Sequence, residues 1–150
     1  MNPLVPPPVI AALIGGVMWA VDRKFIATRF ESAWLTPIAI MLLVAGLLLA
    51  LAAVVSFIAA KTTINPLRPS RASSLITTGV FGFSRNPIYL ADLLILAALA
   101  AWLGNIINLL FLFVFVWILQ RFQIVSEERA LTQLFGERYV AYCSQVRRWL

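Results

Sequence analysis

The sequence predicts an all-α integral membrane protein with about four transmembrane helices, a cytoplasmic loop and an amphipathic C-terminal helical tail. Hydrophobic residues make up 62% of the 150 positions and charged residues 12%, against roughly 45–50% and about 25% in soluble domains. Mean hydropathy is +0.94. Uncharged runs alternate with short charged segments, and a helix needs about 20 apolar residues to cross a bilayer. Residues 1–150 therefore form a single membrane domain, with no room beside four spans for a sizeable soluble one.

Residues 1–21 carry no charge, and the first span is expected over residues 5–21, its helical run following Pro6-Pro7-Pro8. No basic n-region or small-residue cleavage site marks a removable signal, so this stretch reads as a mature span. Asp22, Arg23, Lys24, Arg29 and Glu31 then form a polar loop. The second span, residues 34–60, lies in a run of 29 uncharged residues and opens with Trp34 as an interfacial anchor. Residues 61–86 form one long connection, where apolar Leu75-Ile76 and Val80-Phe81 argue for packing on the membrane domain. From Pro87 to Gln120 there is a single charge, Asp92, in 34 residues. Gly104-Asn105 divides this stretch into a hairpin with spans at residues 87–103 and 106–124. In the tail, residues 126–150, Leu131, Phe135, Tyr139, Tyr142, Cys143, Val146 and Trp149 recur at helical spacing, and Gly136 breaks the helix in two.

Four spans put the long loop and the tail on one side. That side carries nine basic residues against three opposite, so both termini are expected in the cytoplasm. The net charge of +6 is spread beside hydrophobic spans and reads as topology and attraction to anionic headgroups, with no nucleic acid implied. One cysteine, Cys143, excludes an internal disulfide, and no histidine exists to serve a triad. Without a Cys/His cluster, zinc, haem and iron–sulfur sites are not expected.

Chemistry is expected where residues 77–89 meet the tail. Gly79 and Gly82 permit close backbone approach, and Pro87 suits the first turn of a helix. Arg85 and Arg121 can bind carboxylate or phosphate, Glu127 and Glu128 an ammonium or ribose hydroxyls, and Tyr89 can offer a cation its aromatic face. Blander readings stand beside these. Arg85 can anchor its helix at the headgroups, and Glu127-Glu128 can be a solvated first turn favoured by the helix dipole. Asp92 is either a functional intramembrane carboxylate or one that snorkels or pairs with Arg85. Tyr139 and Tyr142 read as packing residues, and Cys143 as inert.

Gly79, Arg85, Asn86, Pro87 and Tyr89, with Phe81 in place of a tyrosine, follow the pattern G-P-Y-R-x-x-R-[HN]-P-x-Y. Glu127, Glu128, Leu131, Phe135, Gly136, Tyr139 and Tyr142, followed by Arg148-Trp149, follow E-E-x-x-L-x-x-x-F-G-x-x-Y-x-x-Y with its basic-tryptophan end. Over roughly residues 61–150 the chain thus resembles the isoprenylcysteine carboxyl methyltransferase and phospholipid methyltransferase superfamily. The resemblance implies an S-adenosylmethionine-dependent enzyme whose cofactor enters from the cytosol and whose lipid or lipid-like substrate arrives from the bilayer. It makes Arg85, Asn86, Pro87, Tyr89, Glu127 and Glu128 cofactor contacts. Glu128 and Arg121 become the catalytic candidates, Arg121 as the arginine near the substrate carboxylate or phosphate.

Val80 and Gly82 depart from the pattern's proline and arginine, and Asn86 stands where many members have histidine. Methyl transfer depends chiefly on positioning. A carboxylate acceptor such as a prenylcysteine-like compound needs no base, whereas a phospholipid amine would call on Glu127, Glu128 or Asp92. Two other functions fit the same sequence: an NADPH-dependent membrane reductase of related fold, and a non-catalytic membrane binding or assembly protein.

Overall fold

The computed structural model describes residues 5–60 and 74–150. The first half of the long connection, including Lys61, Arg68 and Arg71, lies outside the described residues. Among those described the structure is helical, apart from one isolated bridge between Arg29 and Asn105.

Helix α1 spans Pro7–Lys24, entered through prolines whose missing N–H groups fall where no intrahelical acceptor exists. It absorbs Asp22, Arg23 and Lys24, which the sequence reading assigned to a loop. The reason is local: Arg29, beyond the 3-10 turn Ile26–Thr28, folds back so that its Nε donates to Asp22 Oδ1 at 2.7 Å and its Nη2 to Oδ2. Asp22 is thereby held in the last turn at 1% exposure.

Helix α2 spans Leu35–Ala59 and α3 spans Pro87–Leu103. They meet through small residues. A Cβ on Gly46 would sit 3.1 Å from the Ala91 carbonyl and 3.0 Å from Ile95 Cγ1, and Ala39, Ala53, Ala91 and Ala98 are buried. Small side chains allow close backbone approach, and van der Waals contact drives helix association in lipid, where tails are as apolar as leucine. The other face of α3 joins the main core: Tyr89, Leu96 and Ala100 pack with Ile14 and Met18 of α1 and with Phe115, Leu119 and Ile124.

Gly104 ends α3 in the left-handed region (φ +62) and donates its N–H to the Ala100 carbonyl. The next helix, α4, begins at Asn108, two residues after the predicted start at residue 106. Nor does it stop at residue 124. A π-helical segment, Leu119–Ile124, carries it into α5, Val125–Phe135. No glycine or proline lies between Ile106 and Phe135 to end it. Gly136 (φ +55) makes the predicted break, and α6, Glu137–Gln145, follows.

The far end of the α3–α4 hairpin is closed by polar groups. Asn105 Nδ2 donates to the Phe25 carbonyl at 3.0 Å, the Thr28 hydroxyl lies 2.8 Å from Asn105 Oδ1, and the Phe30 N–H donates to the Gly104 carbonyl at 2.6 Å. At the opposite end Gln123 Nε2 donates to the Val5 carbonyl at 3.0 Å, so the start of α1 sits beside the π segment.

Two described helices are long and apolar enough to cross a membrane, Leu35–Ala59 and the continuous Asn108–Phe135. The core helix of a soluble protein is mostly buried, yet only 17% and 22% of their most apolar windows are. Their remaining surface, with Met41, Leu48, Leu51, Ile58, Phe113 and Trp117 all exposed, suits lipid rather than water.

Candidate active site

At the end of the bundle where α3 begins, the loop before it is clasped by the tail. Gly79 adopts φ +63 and opens the 3-10 turn Gly79–Gly82. The turn drives Phe81 inward, where its ring meets Phe57 of α2 edge-on at 5.3 Å. The Tyr142 hydroxyl donates to the Phe81 carbonyl at 2.6 Å. Burial pushes that hydroxyl up to about 12, so it keeps its proton and remains a donor at neutral pH. Two residues beyond Gly82, the chain runs beside residues 146–148. The Arg85 N–H donates to the Arg147 carbonyl at 3.0 Å, and Asn86 Nδ2 to the Arg148 carbonyl at 2.9 Å. Leu75 joins the cluster of Tyr139, Tyr142 and Val146.

This clasp delivers charged groups to one place. Arg85 Nη1 donates to Glu128 Oε1 at 3.0 Å, and Arg148 binds the same carboxylate with both prongs, Nε to Oε1 at 2.9 Å and Nη2 to Oε2 at 2.6 Å. The two-pronged geometry is the strong form of a guanidinium–carboxylate pair. Arg85 Nη1 also lies 2.8 Å from Cys143 Sγ. One position before Glu128, Glu127 accepts a hydrogen bond from the Tyr89 hydroxyl. Pro87 is buried at the first turn of α3.

Arg85, Asn86, Pro87, Tyr89, Glu127 and Glu128 are thus neighbours, while Arg121 stands apart. It is exposed beside Phe113, Val116, Trp117, Gln120 and Val125 on the outer face of the helix. The family resemblance places Arg121, seven residues before Glu128, near the substrate carboxylate or phosphate. The π segment containing Arg121 has a wider turn, and that changes the rotation between the two. Arg148 joins the site although the sequence marks it only through the basic-tryptophan end of the tail pattern. Arg85 pairs with Glu128, so the pairing with Asp92 that the sequence allowed is absent. Asp92 Oδ2 is buried with no hydrogen-bond partner among the described residues.

A helical membrane protein with paired carboxylates and guanidiniums at the mouth of one helix is the class this geometry defines. The phospholipid methyltransferase family model matches residues 34–138, and the chain belongs to that family. It is 26% identical to Protein-S-isoprenylcysteine O-methyltransferase B of Arabidopsis thaliana over 137 residues, which cover 91% of this chain and 70% of that protein. An uncharacterized protein of Haemophilus influenzae is 44% identical over 63 residues, 42% of this chain and all of that protein. The molecule is therefore a membrane methyltransferase of this type.

Proposed function

We propose that the protein transfers a methyl group from S-adenosylmethionine to a lipid or lipid-like amphiphile at the cytoplasmic interface. The observation that carries this reading is the cluster around Glu128, a carboxylate gripped by Arg85 and Arg148 beside the Tyr89–Glu127 pair. Two arginines and two glutamates leave the cluster formally neutral, as suits a cofactor with its own carboxylate, ammonium and sulfonium. The donor set fits that molecule. Arg85 Nε is buried without a hydrogen-bond partner among the described residues, a donor available to a carboxylate, and Glu128 can exchange a guanidinium for an ammonium or ribose hydroxyls.

Arg85, Asn86, Glu127 and Glu128 would hold the cofactor, and Pro87 and Tyr89 would form the wall on the α3 side. When bound, S-adenosylmethionine would supply an electrophilic methyl for the acceptor's lone pair, with sulfur as the leaving group. The chain's own contribution is orientation. The clasp between residues 84–86 and 146–148 fixes Arg85 against Glu128, and the Tyr89 hydroxyl fixes Glu127. Positioning of this kind supplies much of the barrier reduction in an in-line displacement.

Isothermal titration of detergent-purified protein with S-adenosylhomocysteine, and in parallel with NADPH, tests the reading. Binding of the first and not the second is expected. Glu128→Gln and Arg85→Ala should each weaken it about tenfold, roughly 1.4 kcal/mol, with the thermal midpoint kept near that of the wild type. Undiminished affinity in both variants refutes the pocket, and binding of NADPH alone favours a reductase.

A further inference from the structure

The groove around Arg121 is no part of the pocket described above. It holds about 430 Å³ and is lined by Phe113, Val116, Trp117, Gln120, Arg121 and Val125. Arg121 is the one charged residue in that lining, and it is in none of the ion pairs formed among the described residues. Order along the helix matters here. Phe113, Val116 and Trp117 come first, with Phe113 and Trp117 74% and 61% exposed, and Gln120 and Arg121 follow. Residues 93–120 carry no charge, so Arg121 stands where the apolar stretch ends. At 1.5 Å per residue, the rise from Phe113 to Arg121 is about 12 Å, close to the ~15 Å of one hydrocarbon leaflet. Trp117 is met edge-on by the Phe122 ring at 5.8 Å. Gln120 Oε1 accepts from the Trp149 indole N–H at 3.4 Å, which leaves the Gln120 amide NH2 as a second donor beside the guanidinium.

An occupant of this groove must be apolar over the depth of one leaflet and anionic at its end. We propose that the groove holds one anionic glycerophospholipid as a resident ligand, its phosphate on Arg121 and Gln120 and an acyl chain along Phe113, Val116 and Trp117. Charge selects this occupant. A guanidinium stays charged at any accessible pH and suits phosphate with its planar set of donors, and no described carboxylate neutralises this one. A zwitterionic headgroup offers the same phosphate but brings a cation with it. A second copy of the chain, meeting the groove through the same face, would set two uncompensated guanidiniums on one interface. Because Arg121 stands apart from the Glu128 cluster, the lipid is a ligand of its own rather than the molecule methylated there. The inference draws on the membrane class of the protein and needs no cofactor.

The test is native mass spectrometry of detergent-purified protein given equimolar phosphatidylglycerol and phosphatidylcholine with identical acyl chains. Neither lipid has an amine or a carboxylate to methylate, so binding is read apart from turnover. The wild type should retain one phosphatidylglycerol in preference to phosphatidylcholine by about fivefold, the ~1 kcal/mol that one arginine contributes near an anionic membrane surface. Arg121→Gln should bring the two lipids within twofold of each other. Arg129→Gln removes the same charge from an exposed position on the same continuous helix and should keep the preference. A wild type that retains both lipids equally, or takes up a graded series of lipids with no favoured first one, overturns the proposal without any variant. An Arg121→Gln protein that keeps the preference overturns it too. So does an Arg129→Gln protein that loses it to the same degree, since overall charge and not the groove would then be responsible. Failure to bind S-adenosylhomocysteine strikes at the methyltransferase pocket alone.

Discussion

Glu128 has more than one guanidinium, and they are not equivalent. Arg148 binds it with two prongs and Arg85 with one, so a lysine at 148 would keep the charge and lose the fork. Arg148→Ala should lower S-adenosylhomocysteine affinity several-fold, and Arg148→Lys should recover only part of it. In a Glu128→Gln background the Arg148→Ala change should add little, and calorimetric titration of the four proteins gives the coupling, expected near 1 kcal/mol. Independent, additive losses would mean that the two residues act separately. At this scale much of the candidate site was legible, because Arg85, Asn86, Pro87, Tyr89, Glu127 and Glu128 stand at fixed spacings in two motifs. The motifs did not say which groups touch. Glu128 meets Arg148 because the chain after Val146 runs beside residues 84–86, a pairing of distant segments that no local spacing encodes. The same contact sets a second cation on Glu128 in a chain whose loop has Gly82 where the family pattern has an arginine.

The elements depend on positions where backbone geometry leaves little choice. Gly104→Ala would force a side chain into φ +62 and set its Cβ 2.7 Å from the Phe30 carbonyl oxygen. The expected cost is about 2 kcal/mol or more, seen as a lower thermal midpoint. Gly16→Ala is the control, since nothing lies within 4 Å of its Cβ, and helix propensity alone should leave it neutral or stabilise it by up to about 1 kcal/mol. Asp22 governs the same end of the molecule. Its carboxyl is held below the ordinary carboxylate range, first by hydrogen bonds from Arg29. A depressed native value contributes stability above the unfolded value of about 3.9 and loses it as pH falls through the native one. Asp22→Asn should therefore lower the thermal midpoint at pH 7, and the gap to wild type should close on acidification below about pH 4. A gap that stays constant in acid would refute the ion-pair account. The helix boundaries at Pro87, Gly104 and Gly136 could be read from the sequence because proline and left-handed glycine act locally. The π segment could not: its residues, Leu119–Ile124, include no glycine or proline that would mark it. Arg121 lies within it and is exposed on the outer face of the helix.

Taken whole, the molecule is polar at both ends of an apolar bundle. The far end is closed by Asp22, Arg29, Thr28 and Asn105, and the site end by the clasp around Glu128. Composition pointed to the membrane class, because an apolar fraction of 62% lies well above the roughly 45–50% of soluble domains. The order of packing was less accessible. That α1 joins α3 and α4 in one core while α2 lies on the other face of α3 depends on which faces carry alanine and glycine and which carry large side chains. Mean hydropathy is blind to that difference. The partnership of Arg85 with Glu128, 43 positions later in the chain, also has a consequence in time. A ribosome adding ~5–20 residues per second leaves the guanidinium without its carboxylate for seconds after it emerges. During that interval it is an unneutralised cation at the leading edge of α3, the kind of charge that is retained on the cytoplasmic side while orientation is being set. Arg85→Glu should therefore be penalised twice, once as an insertion defect visible in protease-accessibility mapping of nascent chains, and again as a lost contact in whatever protein folds correctly.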